Sequence, residues 1–387
     1  MKVNVEVAPA IINWVMANAQ MDGLSENIVK NLELWKNGDK LPTYNQIEQV
    51  SKATGIPLGY FFLSTPPVED TSLMDCRTID SISLTNPSRN LIDTIHDMEM
   101  IQDWMKDQLI SESMDPLPFV GKQSLTTAVE DFANAIRKTL GTEIDWYNKN
   151  IGDAFKFFRT MISEAGVIVM TNGVVGVNNN RSLDIDEFRA FTIVDKYAPI
   201  IFINNNDSEG GKLFSLLHEF AHVCLGKNSF FNDRYSTGKK VKKIETVCNA
   251  VAAEILVPQS MFISEWKSKI KDSNAETTIS ELSKKFRCGI TVIARKALDN
   301  GFIKSDIYQK TANLAVAKYN EQRKKDKDKK SGGNYYNTLS SRMDERFLDK
   351  LKTSVVEGQT LYSVAYRLTH TNHDTFDKLI GTKKGEK

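Results

Sequence analysis

The chain has 387 residues, 41% of them hydrophobic and 26% charged, with a net charge of +1. That length suits two or three domains, and the composition is that of a globular protein whose core needs no disulfide staples. The balanced charge gives no long-range pull toward nucleic acid or an anionic membrane surface.

The opening stretch, MKVNVEVAPAIINWVMANAQ, mixes polar and apolar residues and has no small-residue cleavage site. Neither a signal peptide nor a membrane span is read there. Residues 1–67 read as a helical module. Pro9 to Gln20 is apolar at helical spacing, and Ser25 can cap a helix running through Leu32 and Trp35 to a stop at Gly38. Thr43 can cap a third helix with Tyr44, Ile47 and Val50 on one face, ended by Gly55. Pro66-Pro67 and the acidic stretch after them open a linker, and residues 68–145 are expected to be that linker and a helical connector. Within it, 88–114 is a long helix with Leu91, Ile95, Met98 and Ile101 at helical spacing. Residues 125–165 read as two more helices.

The β-branched runs VIVM (167–170), FTIV (191–194) and PIIFIN (199–204) read as strands. FTIV or PIIFIN can offer an edge to an extended peptide, unless both are interior strands. Helices are expected at 211–225 and at 243–257, the second stopped by Pro258. The charged, Gly-ended run EQRKKDKDKKSGG (321–333) reads as a solvated hinge, and 334–387 as a small helical C-terminal region.

Chemistry concentrates at LFSLLHEFAHVCLG, which carries His218-Glu219-Phe220-Ala221-His222. On a helix, positions i and i+4 share a face, so both imidazoles can point at one cation. Glu219 sits beside that cation, where a carboxylate can take a proton from water. Leu217, Phe220, Ala221 and Cys224 form the stripe that anchors the helix in the core. The chain has five histidines, and two of them fall at ligand spacing around a glutamate. A chance match on a buried helix does not readily explain that.

A catalytic zinc takes three protein ligands and leaves one position open. KIETVCNAVAAEILVP offers Glu245, Cys248 and Glu254. The two glutamates are nine residues apart, about half a turn out of phase at 3.6 residues per turn. They cannot both face the metal. Glu245 is favoured, because Asn249 lies on its face, where an amide can orient a ligand such as His218. Glu254 reads as a salt-bridge or capping residue. Cys224 and Cys248 read as buried fillers. The four cysteines, with Cys76 and Cys288, form no CxxC pair and no disulfide framework, so a reducing, cytoplasmic location is expected. Tyr235 and Arg189 are candidates for stabilising an oxyanion.

HEFAHVCLG followed by IETVCNAVAAEILVP resembles the ImmA/IrrE family of zinc metallopeptidases. So do DCRTID, NPSRNLIDTI, GVIVMTNGVVG, LDIDEFRAFTIVDKYAPIIFINNND and GIPLGYFFLSTPP. The resemblance implies one Zn²⁺ on His218, His222 and Glu245, with Glu219 catalytic. It also implies an XRE-type helix-turn-helix ahead of a peptidase domain at 146–320. The implied partner is a repressor, cleaved in stress response or mobile-element control, or a toxin encoded nearby. The competing reading is a regulator or antitoxin that acts by contact.

The N-terminal module departs from that pattern. Only seventeen residues separate Ser25 from Thr43, too few for two helices and a turn. Residues 1–65 hold five lysines, six acidic residues and no arginine. Phosphate neutralisation and base reading need such cations, so DNA binding is disfavoured. The expected fold is α+β: a small sheet with zinc-binding helices between a helical module and a helical tail.

Overall fold

The computed structural model describes residues 4–19, 21, 24–67, 87–231, 243–328 and 334–381. The fold is α+β, a small mixed sheet set among helices.

The N-terminal module has its own core. Helices α1 (Pro9–Asn18), α2 (Glu26–Lys36) and α3 (Tyr44–Thr54) bury Ile11, Ile12, Val15, Leu32, Trp35, Ile47 and Val50 against Ile56 and Phe61. α3 starts in a capping box, where Thr43 and Gln46 satisfy each other's backbone N–H groups. It ends at Gly55, in the left-handed region at φ 74°. One helix, α2, occupies the stretch where a helix-turn-helix needs two. Residues 37–43 then connect α2 to α3, longer than the three or four residues of a DNA-reading turn.

α4 (Arg89–Ser111) is capped by Ser88 and buries Leu91, Ile95, Met98, Ile101, Met105 and Leu109. α5 (Val129–Leu140) and α6 (Ala154–Glu164) follow. Gly166 turns the chain into the sheet at φ 115°, with the Leu117 side chain filling the space a Cβ would need.

Strands β1 (Ile168–Asn172), β2 (Val174–Val175), β3 (Asn178–Ser182), β4 (Ala190–Ile193) and β5 (Ile200–Asn204) come next, and then α7 (Glu209–Leu225) and β6 (Ser229–Phe231). β2 and β3 pair as a separate hairpin. The main sheet runs β1-β5-β4-β6, with β1 parallel to β5 and the other pairs antiparallel. β4 and β5, the FTIV and PIIFIN runs, are therefore both interior. Among the described residues β6 is the outer strand on that side. It is three residues long, too short to carry a readable alternation.

Period-two alternation splits the sheet between two cores. Val169, Ala190, Ile201 and Ile203 face α7, while Ile168, Met170, Phe191, Ile193, Ile200 and Phe202 face α4. α7 is capped at one end by the Ser208 hydroxyl and ends at Gly226 in the left-handed region. α8 (Lys243–Leu256), α9 (Gln259–Lys269), α10 (Ala275–Lys285), α11 (Ile290–Asp299) and α12 (Ser305–Asp328) complete this half.

α12 runs through the first eight residues of the expected hinge. An i,i+4 pair, Glu321–Lys325, lies on the exposed side of that stretch, so the run begins as helix rather than as a hinge. Residues 329–333 lie outside the described residues.

The C-terminal region is helical, with α13 (Tyr335–Arg342), α14 (Glu345–Val356), α15 (Tyr362–Thr369) and α16 (His373–Gly381). Phe347, Leu351, Ala365, Leu368 and Phe376 join the core beneath the second face of the sheet. Asp344 accepts from the Val169 N–H on the outer side of β1, and the Arg159 guanidinium donates to the Ser341 and Met343 carbonyls. That covers an edge otherwise open to another strand. Among the described residues no single helix is long and apolar enough to cross a membrane.

Candidate metal centre

α7 lies across the inner face of the sheet and packs on α8. Its apolar stripe, Leu217, Phe220, Ala221 and Cys224, is buried as expected. The same helix carries His218, Glu219 and His222 inward, all three essentially without solvent exposure.

The two imidazole Nε2 atoms stand 3.2 Å apart. Glu245, in the first turn of α8, brings one carboxylate oxygen to 3.2 Å from His218 Nε2 and the other to 3.4 Å from His222 Nε2. All three donors lie within 4.8 Å of one another. Ligands at about 2.0–2.1 Å from a tetrahedral ion are separated from each other by roughly 3.3 Å. The group therefore has the spacing of a three-ligand site and could bind a metal. Burial alone would raise the Glu245 carboxyl, but the hydrogen bonds and charges of His218 and His222 outweigh it and hold it well below the usual carboxylate range.

Glu254 is turned away from this group. Its carboxylate takes a salt bridge from Lys296 at 2.9 Å and caps the first N–H of α9, at Gln259. Cys224 and Cys248 are buried free thiols, and burial pushes both up, against the thiolate a metal would need. Cys288 is buried as well, its thiol pushed up to about 12. Among the other histidines, His370 pairs with Asp97 and His373 bonds Tyr366.

Glu219 points one oxygen at two hydroxyls. Thr192 Oγ1 donates to Oε2 at 2.6 Å and Ser229 Oγ donates to the same atom at 2.5 Å. Oε1 is buried with no hydrogen-bond partner among the described residues. Burial raises the Glu219 pKa, opposed by the charge of His222 and by the two hydroxyl bonds. Thr192 and Ser229 were missed in the sequence. Thr192 left a faint signal, as the one polar residue in FTIV. Ser229 left none.

The Asn249 side-chain oxygen is buried and also has no hydrogen-bond partner among the described residues. Arg189 is committed elsewhere, to Asp207 at 3.0 Å, just ahead of the first turn of α7. His218 lies eleven residues on, about 16 Å along the helix at 1.5 Å per residue. The pair with Asp207 thus holds the Arg189 guanidinium at the start of α7. Tyr235 lies outside the described residues.

Residues 175–298 match the profile of a peptidase family described as the IrrE N-terminal-like domain. The match covers less than half of the chain, but it spans all three of the clustered donors. It supports the ImmA/IrrE kinship of this segment, a peptidase in general, and hence a protein substrate. Residues 343–382, a stretch that includes α14 to α16, match a domain of unknown function. A search of curated proteins finds no match to the chain.

Proposed function

We propose that the chain is a zinc-dependent endopeptidase that cleaves a regulatory protein at a limited number of sites. The observation that carries this reading is the three-donor group beside a buried carboxylate with one oxygen unengaged. His218, His222 and Glu245 would hold the ion. Two imidazoles and one carboxylate are a catalytic zinc set, leaving one position open. Bound there, the ion supplies Lewis acidity to a scissile carbonyl and eases deprotonation of water.

The remaining work falls to residues of the chain. Glu219 Oε1 takes the proton of the attacking water and passes it to the leaving amine. Burial excludes bulk water from that carboxylate and raises its proton affinity toward what a base at neutral pH needs. Asn249 lies one turn from Glu245 on α8, and its unengaged side-chain oxygen is available to orient a ligand. β6 carries Ser229 directly against the base, so an extended peptide added to its outer side would lie alongside Glu219. A repressor, or a toxin encoded nearby, is the class of partner that fits a peptidase with its own helical module.

The deciding variant is Glu219→Gln, which keeps size and shape. Metal content measured by atomic emission is expected to stay at about one zinc per chain, as for a three-ligand site. Cleavage of the partner is expected to fall by about 10²–10⁴-fold. If the variant keeps the full cellular response while a partner-binding variant loses it, the chain acts by contact, and the enzymatic reading is overturned.

A further inference from the structure

Thr192 and Ser229 are not scattered polar residues. They are directly paired across the β4–β6 ladder. In an antiparallel pair, residues opposite each other point to the same face of the sheet. Here that face meets α7. Both hydroxyls reach the same carboxylate oxygen, Glu219 Oε2, at 2.6 and 2.5 Å, and both residues are buried, at 0% and 3% exposure. Thr192 Oγ1 also lies 3.5 Å from the Glu219 backbone carbonyl. A glutamate side chain has three rotatable bonds, and its free carboxylate would swing toward the nearest positive charge. The donor group where that charge would sit is close, because His218 directly precedes Glu219 and His222 follows three residues on, all three buried together on α7.

We propose that Thr192 and Ser229 are positioning residues for Glu219: paired hydroxyls on neighbouring strands that hold one carboxylate oxygen, aim the other at the reacting water and keep the carboxylate off the metal. The inference rests on the reading of this site as a metallopeptidase centre. Two short hydrogen bonds to one atom fix the position and the plane of the carboxylate. Without them a bound ion would be the group nearest to attract that carboxylate, and Glu219 would be free to become its fourth ligand. That would fill the position catalysis must keep open. The sheet thus separates two roles for neighbouring residues of one helix: His218 binds, and Glu219 is held back.

Cobalt(II) titration of the full-length chain tests this, because the visible absorption of cobalt reports the number and kind of its ligands. The wild type is expected to bind about one cobalt in the three-ligand form. T192V/S229A keeps the apolar volume but removes both donors. Its cobalt spectrum is expected to change, and its cobalt affinity to rise by at least about tenfold, the scale of outer-sphere effects on metal sites. T192S and S229T keep a hydroxyl and are expected to retain the wild-type spectrum. Adding Glu219→Ala to the double variant is expected to restore that spectrum, which identifies the carboxylate as the new ligand. Should the double variant fail to unfold cooperatively, T192V and S229A singly carry the same comparison. A double variant with wild-type spectrum and affinity overturns the positioning role and leaves the metallopeptidase reading standing. A wild type that binds no cobalt overturns both.

Discussion

At the scale of single residues, two glutamates nine positions apart on α8 do opposite jobs. Glu245 points into the histidine pair, while Glu254 holds the end of its helix to α9 and α11. The first prediction separates them. His222→Ala removes one of the three clustered donors and, if they hold zinc as proposed, is expected to lose most of it while the chain stays folded, as read by metal analysis alongside circular dichroism. Glu254→Ala does the reverse. It leaves the Lys296 ammonium buried without its carboxylate and uncaps α9. Breaking a buried pair by removing one partner costs about 3–5 kcal/mol. Urea unfolding is expected to show a loss of that size, with metal content unchanged in whatever remains native. A Glu254 variant that loses zinc but not stability would reverse the assignment of the two glutamates.

The elements succeed or fail on how their ends are made. α7 must stop sharply after His222 so that the chain can return to the sheet at Ser229. Gly226 makes that stop, at φ 66°, and a Cβ there would lie 2.9 Å from the Gly121 Cα. Gly226→Ala is therefore strained in its backbone and crowded by a second backbone. A non-glycine residue in the left-handed region costs about 1–3 kcal/mol, and thermal unfolding is expected to register at least that loss. Ala at Gly301, whose φ is also positive but where a Cβ would meet nothing within 4 Å, is expected to cost less. Equal losses would show that crowding against Gly121 contributes nothing. Long amphipathic helices and β-branched runs were legible in the sequence because each repeats its period several times. β6 was not, since three residues contain no period.

Across the whole molecule, the C-terminal helices form one wall of the core. One of their ties to α4 is titratable. His370 Nε2 meets Asp97 Oδ2 at 2.8 Å, and its ring rests where Gly176 leaves room. The hydrogen bond to Asp97 is the largest of the effects that raise the His370 pKa, with the charges of Asp97 and Asp93 adding to it. Folding thus favours the imidazolium. That stabilisation is complete below the unfolded imidazole value of about 6.5 and is lost as pH rises through the higher folded value. Protection of α15 and α16 amides against hydrogen exchange, corrected for the intrinsic pH dependence of exchange, is expected to fall as pH rises from about 6.5 through the folded value, and His370→Asn to abolish that fall. Unchanged pH dependence in His370→Asn would place the titrating group elsewhere.

The sequence alone determined the helix with paired histidines, the glutamate between them and the opposed directions of Glu245 and Glu254. Each follows from spacing on one helix, and a helix converts sequence distance into direction without help from the rest of the fold. It also determined the helices of the N-terminal module, with the Thr43 cap of α3, and the α+β class, whereas Ser25 precedes α2 without making the side-chain cap bond expected of it. Tertiary structure alone decided what faces Glu219. Thr192 and Ser229 lie 37 residues apart, and only the β4–β6 register makes them opposite neighbours. The same holds for the edge strand. Hydrophobic pattern marks FTIV and PIIFIN as strands, but edge or interior is a property of the sheet, settled by which chains lie beside them.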